Sequence, residues 1–231
     1  MALVDNQTRL CDLALKDPSI ITVYNRFGIK LGVGDKTVSS ICRDLGLDST
    51  FLSTILNVYL NEEYFPERIL STFSASTIVG YLKKTNSYYR NFQIPNIERH
   101  FNLLLSKPTA NKSSNLSLIK GFFDEVENEL INRINEDENQ WFPEIISKEK
   151  EIGQWTDAIV QIEHFGSSSD TVEDKINDLI NMLVIHLSGD YDLNLCQAVV
   201  LAVFSLKKDI TKNDRIRNRI LRPISHLMSH Q

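Results

Sequence analysis

Apolar residues recur at helical spacing along most of the chain and almost never alternate. Ile119, Phe122, Phe123, Val126, Leu130 and Ile134 share one helical face, as a 3.6-residue turn demands. They predict a long helix from about Leu116 to Lys150, with a break at Phe142-Pro143 or near Gly153. Val172, Ile176, Leu179, Ile180 and Leu183 repeat the pattern and predict a helix from Thr171 to His186. A third runs from Ser76 to about Leu105, disturbed at Pro95, because proline removes a helical N–H. A fourth runs from Leu193 toward the end, disturbed at Pro223. A further helical stretch is expected over Trp155–His164, ended by Gly166–Asp170. The polar run Lys107–Asn115 reads as a linker and Ser188–Asp192 as a turn. Long amphipathic helices joined by short connections predict a bundle.

The first 72 residues predict shorter helices. Asp17-Pro18 places proline in a first turn, and Gly28 suits the end of that helix. Leu31–Lys36 reads as a turn. Thr37 caps a helix that Gly46 ends, and Asp48 or Ser49 caps the next. In that helix Phe51, Leu52, Ile55, Leu56 and Tyr59 keep the 3.6-residue period. Pro66 opens another short helix. The expected fold class is all-α, with a small helical domain over residues 1–72 and a four-helix bundle over 73–231.

Composition narrows the function classes. A net charge of −5 gives the whole chain no attraction to DNA or anionic lipid. The segment Lys207–Arg222 is locally basic, with acids mixed in. Thr37–Tyr59 has a helix–turn–helix outline, but Asp48–Leu60 contains no Lys or Arg for phosphate contacts. Direct nucleic-acid binding is not expected. Neither is a membrane span, since no apolar run approaches the roughly 18 residues one needs. Cys11, Cys42 and Cys196 stand in no paired spacing and read as core thiols of a reducing compartment. The start of the chain shows no charged segment followed by an apolar run. A cytoplasmic protein is expected.

Signals for catalysis are missing: no Walker loop, no GxSxG, no CxxC and no HExxH. The chain reads as non-catalytic. Phe122, Phe123, Trp141 and Phe142 are expected in the core. One internal echo stands out. Arg133-x3-Asp137-x5-Pro143 in one long helix matches Asn213-x3-Arg217-x5-Pro223 in another. Residues four apart share a helical face, so each pair could serve one ion from a single helix.

These residues carry a resemblance. The second half resembles a hemerythrin-like domain, where the pattern is His-x3-Glu-x5-Pro in both helices. Arg26–Cys42 and Asp48–Asn57 are similar to the N-terminal domain of the iron-centre repair family. They look closer still to bacterial regulators with a GFGDKTV-like turn, this bundle and a C-terminal LuxR-type helix-turn-helix. Tyr81–Phe101, Val172–Leu183 and Phe204–Ile224 resemble helices one, three and four of that bundle. The resemblance spans about residues 8–228. The regulators' DNA-binding domain would begin near His230, so either the protein lacks it or these residues belong to a longer chain.

Two departures shape what the resemblance implies. The repair proteins' Cys-Cys pair is replaced by Gly32 and Val33, so thiol chemistry is not expected. The ligand positions have also changed. Helix one offers Asn86 or Ser87, helix two Arg133 and Asp137, helix three Ser169, and helix four Asn213 and Arg217. Arginine is no metal ligand, so no cofactor is expected. Arg133, Asp137 and Arg217 instead suggest a polar cluster, with Glu138 or a small bound anion as a second negative group. The alternative is an iron site built from Asp137, His164, His186 and Asp190. His226 and His230, four apart, form at most a weak metal-binding tail. The expected role is sensory, regulatory or protein-binding, through a protein partner or a homodimer. The other readings are an iron-binding sensor or repair protein, and the sensory part of a transcriptional regulator.

Overall fold

The computed structural model describes residues 3–70, 72–107, 115–152 and 171–222. The expectations for Trp155–His164, Gly153, Gly166–Asp170, Ser169, Pro223, His226 and His230 lie outside these residues. The described chain is all-helical. No helix among the described residues is long and apolar enough to cross a membrane. The chain divides into two compact units. The first takes residues 3–70, 72–84, 145–152 and 215–222, and the second 85–107, 115–144 and 171–214.

The first unit follows its local signals. Helix α1 (Leu10–Lys16) precedes a short 3₁₀ turn (Pro18–Ile20), where the Asp17 carboxylate accepts the Ser19 amide at 3.0 Å. Helix α2 (Ile21–Arg26) ends before Gly28, and α3 (Val38–Leu45) begins where the Thr37 hydroxyl accepts the Ser40 amide. Gly46 ends α3 at φ 64°, a left-handed conformation that costs glycine nothing. Asp48 then caps α4 (Ser49–Leu60), accepting from Thr50 and Phe51 at 2.7 and 2.9 Å. Leu52, Ile55 and Leu56 of α4 are buried. Short helix α5 (Glu67–Leu70) follows Pro66.

Longer-range ties also shape this unit. The Asn57 side chain accepts the Val4 amide at 2.7 Å and donates to the Val4 carbonyl at 2.9 Å. The amide group thus pairs with the chain start as a strand neighbour would. Helix α6 (Ala75–Tyr88) is capped from far along the sequence. Both oxygens of Glu149 accept, from the Ala75 and Ser76 amides at 2.5 and 3.0 Å. Helix N-termini favour such carboxylates. Phe27, Phe51, Phe73 and Tyr81 form an aromatic cluster with centroid separations of 4.9–6.2 Å.

The second unit is built on long helices. After α6 come α7 (Ile94–Leu105), α8 (Leu116–Glu136), α9 (Phe142–Ile152, whose residues 145–152 belong to the first unit), α10 (Thr171–Val184) and α11 (Leu193–Ile216). The predicted stripe on α8 is buried, with Ile119, Phe123, Val126, Leu130 and Ile134 at most 1% exposed and Phe122 at its edge. The α10 stripe, Val172 to Leu183, is buried too and packs against α8. Each fully buried side chain of this size contributes about 1.5–3 kcal/mol. Helix α10 stops two residues short of His186. There Asn115 donates to the His186 carbonyl and accepts the Ser188 amide, fixing the following turn.

Pro95 and Pro143 do not break their helices, which continue to Leu105 and Ile152. A π turn spans Tyr89–Gln93 before Pro95, another Asp137–Trp141 before Pro143, and a third Arg217–Leu221 before Pro223. In each, the residue preceding proline donates five residues back: Ile94 to Tyr89, Phe142 to Asp137, Arg222 to Arg217. A proline ring collides with the carbonyl four residues earlier. One wider turn moves that carbonyl aside and lets the helix continue.

Candidate functional site

The three π turns reveal a register. Each starts six residues before its proline, at Tyr89, Asp137 and Arg217. Four residues earlier stand Thr85, Arg133 and Asn213. The two-helix echo in the sequence is therefore threefold, with Thr85-x3-Tyr89-x5-Pro95 as the copy in α6 and its π turn. Sequence reasoning placed the helix-one position at Asn86 or Ser87. The signal for the further pair was the fixed offset from Pro95.

Five of these six positions lie in the second unit, and they are buried or nearly so. Tyr89 is 1% exposed, Thr85 2%, Asn213 3% and Asp137 4%, and the Arg133 side chain keeps 14%. Asp209, Lys212 and Asp214 on α11 are buried with them. Arg133 Nη1 donates to Asp214 Oδ2 at 2.9 Å. Asn213 Nδ2 donates to the Tyr89 hydroxyl at 3.3 Å and to the Asp209 carbonyl at 2.7 Å. Side chains from three helical segments thus meet through polar bonds.

More polar ties surround this layer. The Tyr88 hydroxyl donates to Gln93 Oε1, and Gln93 Nε2 donates to the Ala202 carbonyl at 3.2 Å. Arg90 donates to Glu138 and Asn135. Thr211 donates to Glu173, while Lys175 and Thr171 both reach Glu129. The acid opposite Arg133 comes from the residue after Asn213, which no local pattern flags. Asp137, Asp209 and Lys212 are buried in the same unit as the Arg133–Asp214 pair.

The remaining sequence candidates fall elsewhere. Asn86 is buried, and its Nδ2 has no hydrogen-bond partner. Ser87 is exposed and accepts from Asn91. Arg217 belongs to the first unit, where Nη1 donates to Asn218 Oδ1 at 3.1 Å. In the alternative set, His186 and Asp190 are exposed beyond the end of α10. His164 and Ser169 lie outside the described residues.

An iron pair would need imidazole and carboxylate donors. The described positions where the resemblance implies ligands hold Arg133, Asp137, Asn213 and Arg217, with Thr85, Asn86 and Ser87 in helix one, and the nearby Lys212 is buried. This donor set does not fit iron. Among the described residues, no three His, Cys, Asp or Glu side chains are grouped to hold a metal ion.

Cys42 and Cys196 are buried. Burial pushes the Cys42 thiol up, helped by the Asp48 charge, and burial alone raises Cys196. Raised thiols are poor nucleophiles because the thiolate is the reactive form. No protein-family model matches the chain, and no curated protein matches it.

Proposed function

We propose that the chain is a non-catalytic sensory or regulatory protein built on a hemerythrin-like four-helix bundle. In this reading the bundle takes residues 73–231, behind a small helical domain over residues 1–72. Its ligand register holds a structural polar layer in place of metal. It acts through a protein partner or as a homodimer. The supporting observation is the Arg133–Asp214 ion pair, 2.9 Å long and inside the second unit, at a position where the resemblance implies a metal ligand. A guanidinium there repels a cation and takes the acid that a metal would need. The register itself, repeated three times with a π turn and a proline, supports a shared ancestry of the helices with a metal-binding fold. Fold alone does not select a function.

The test is metal content. Protein purified without a histidine tag from iron-supplemented cells should carry less than about 0.1 metal per chain, given its donor set. One or two irons per chain, with an oxo-bridge absorption band, would replace this reading with that of an iron-binding sensor or repair protein.

A further inference from the structure

Helix α11 differs from its neighbours in what it shows to solvent. On α8 the exposed positions include Glu125, Asn128, Asn132 and Asn135, and on α10 Asp174, Asp178 and Asn181. Both helices have the polar outer face expected of a surface helix. On α11 the stretch Leu193–Leu206 contains no charged residue, and eleven of its fourteen residues are apolar. Cys196, Val199, Val203 and Leu206 belong to the core of the second unit. On the other side Leu193 stays 74% exposed, Leu201 60% and Phe204 43%, with Val200 partly exposed among them. A helix that is apolar all round is a buried helix, and an exposed apolar patch of this kind marks an interface. A further ring stands beside it. Gln93 Nε2 donates to the Ala202 carbonyl at 3.2 Å, and Phe92, one residue away, is 58% exposed.

Charge at the two ends of the stretch decides what covers it. Asp190 and Asp192 precede it, and Asp192 accepts the Leu195 amide at 3.0 Å where the helix starts. Lys207 and Lys208 follow it. The apolar face therefore runs from acid to base. Laid parallel on a copy of itself, each end meets its like. Laid antiparallel, each end meets its opposite, and the two helix dipoles oppose as well. A two-fold axis gives both copies the same patch. With that axis crossing between Ala198 and Val199, Leu193 falls opposite Phe204 and Asp190 opposite Lys207.

We infer that α11 is the interface of a homodimer, its outer face packed antiparallel on the same face of a second copy. Leu193, Val200, Leu201 and Phe204 supply the apolar centre, and Asp190 with Lys207 closes each end. All of these residues belong to the second unit. The inference rests on the protein-binding role proposed above and not on its metal-free layer.

Sedimentation equilibrium of the full chain between about 1 and 100 μM tests this. A reversible dimer is expected. Leu201→Glu sets a carboxylate in the middle of the face and should weaken the dimer about thirtyfold or more. Leu201 is exposed in the single chain, so the variant should keep the parent helix content by circular dichroism. Asp190→Lys and Lys207→Glu should each weaken the dimer about threefold. Combined in one chain, the two reversals should restore the parent affinity, because antiparallel packing pairs them again. A monomer throughout the range, or a dimer that Leu201→Glu leaves unchanged, overturns the inference. Reversals whose losses add instead of cancelling overturn the antiparallel arrangement. A monomer without metal would remove this interface and leave the polar-layer reading standing, whereas an iron-loaded dimer would do the reverse.

Discussion

The two units use polar groups in opposite ways. In the first, most of those described serve the backbone, although buried Arg26 also donates to the Tyr81 hydroxyl at 3.3 Å. Thr37 and Asp48 cap helices, Asn57 pairs with Val4, and Glu149 closes the start of α6. In the second, polar side chains meet one another between helices, as in Arg133–Asp214 and Asn213–Tyr89. Backbone caps stabilise by satisfying donors that water also satisfies, so each is worth about 1 kcal/mol. Charges inside a helical core are different. Paired, they roughly balance their desolvation; unpaired, they cost several kcal/mol. The first unit should lose stability in small steps. The second should fail sharply at a few residues.

The largest expected effect is Asp214→Ala. It leaves the Arg133 guanidinium without this carboxylate in a buried setting and should destabilise the protein by about 3–5 kcal/mol, read by urea denaturation. A loss below about 1 kcal/mol would move this pair into the class of solvent-screened bridges. Asn213→Ala comes next. It removes the donor to Tyr89 and to the Asp209 carbonyl, and should cost about 1–3 kcal/mol by the same denaturation. In the first unit, Asp48→Ala should cost about 1 kcal/mol and speed amide exchange at Thr50 and Phe51. Equal losses for Asp214→Ala and Asp48→Ala would erase the contrast between the units.

The smallest effect has the opposite sign. Burial raises the Glu127 carboxyl, with Glu98 adding to it. The folded state then holds the Glu127 proton more tightly than the unfolded chain does. Its contribution favours the fold below the ordinary value of 4.5 and is lost as pH rises through the raised value. Glu127→Gln should therefore raise the melting temperature at neutral pH. The gain should vanish as the pH falls below that ordinary range. A gain that persists in acid would place its origin in packing.

How much the sequence disclosed follows the same division. The all-helical class was legible, since the stripes from Ile119 to Ile134 and from Val172 to Leu183 depend on spacing alone. The caps at Thr37 and Asp48 and the stop at Gly46 were legible because each acts within four residues. Proline positions announced the disturbances at Pro95 and Phe142-Pro143. They did not disclose that the helices continue through π turns, because continuity depends on how a helix is held along its length. The partner of Arg133 was not legible. Asp214 lies 81 residues away, next to a residue that fitted a repeat, and only folding makes them neighbours. The burial of Asp209 and Lys212 was hidden for the same reason, inside a segment that reads as locally basic with acids mixed in.

The central claim is that the buried Arg133–Asp214 ion pair holds the second unit together. A double-mutant cycle with Arg133→Met and Asp214→Leu, read by urea denaturation, tests it most directly. Each single variant removes one side of this pair, while the double variant removes both. The account predicts that the double variant is more stable than the sum of the two losses implies, by about 2 kcal/mol or more. Losses that add within about 0.5 kcal/mol would show no coupling between the two side chains and would contradict the account.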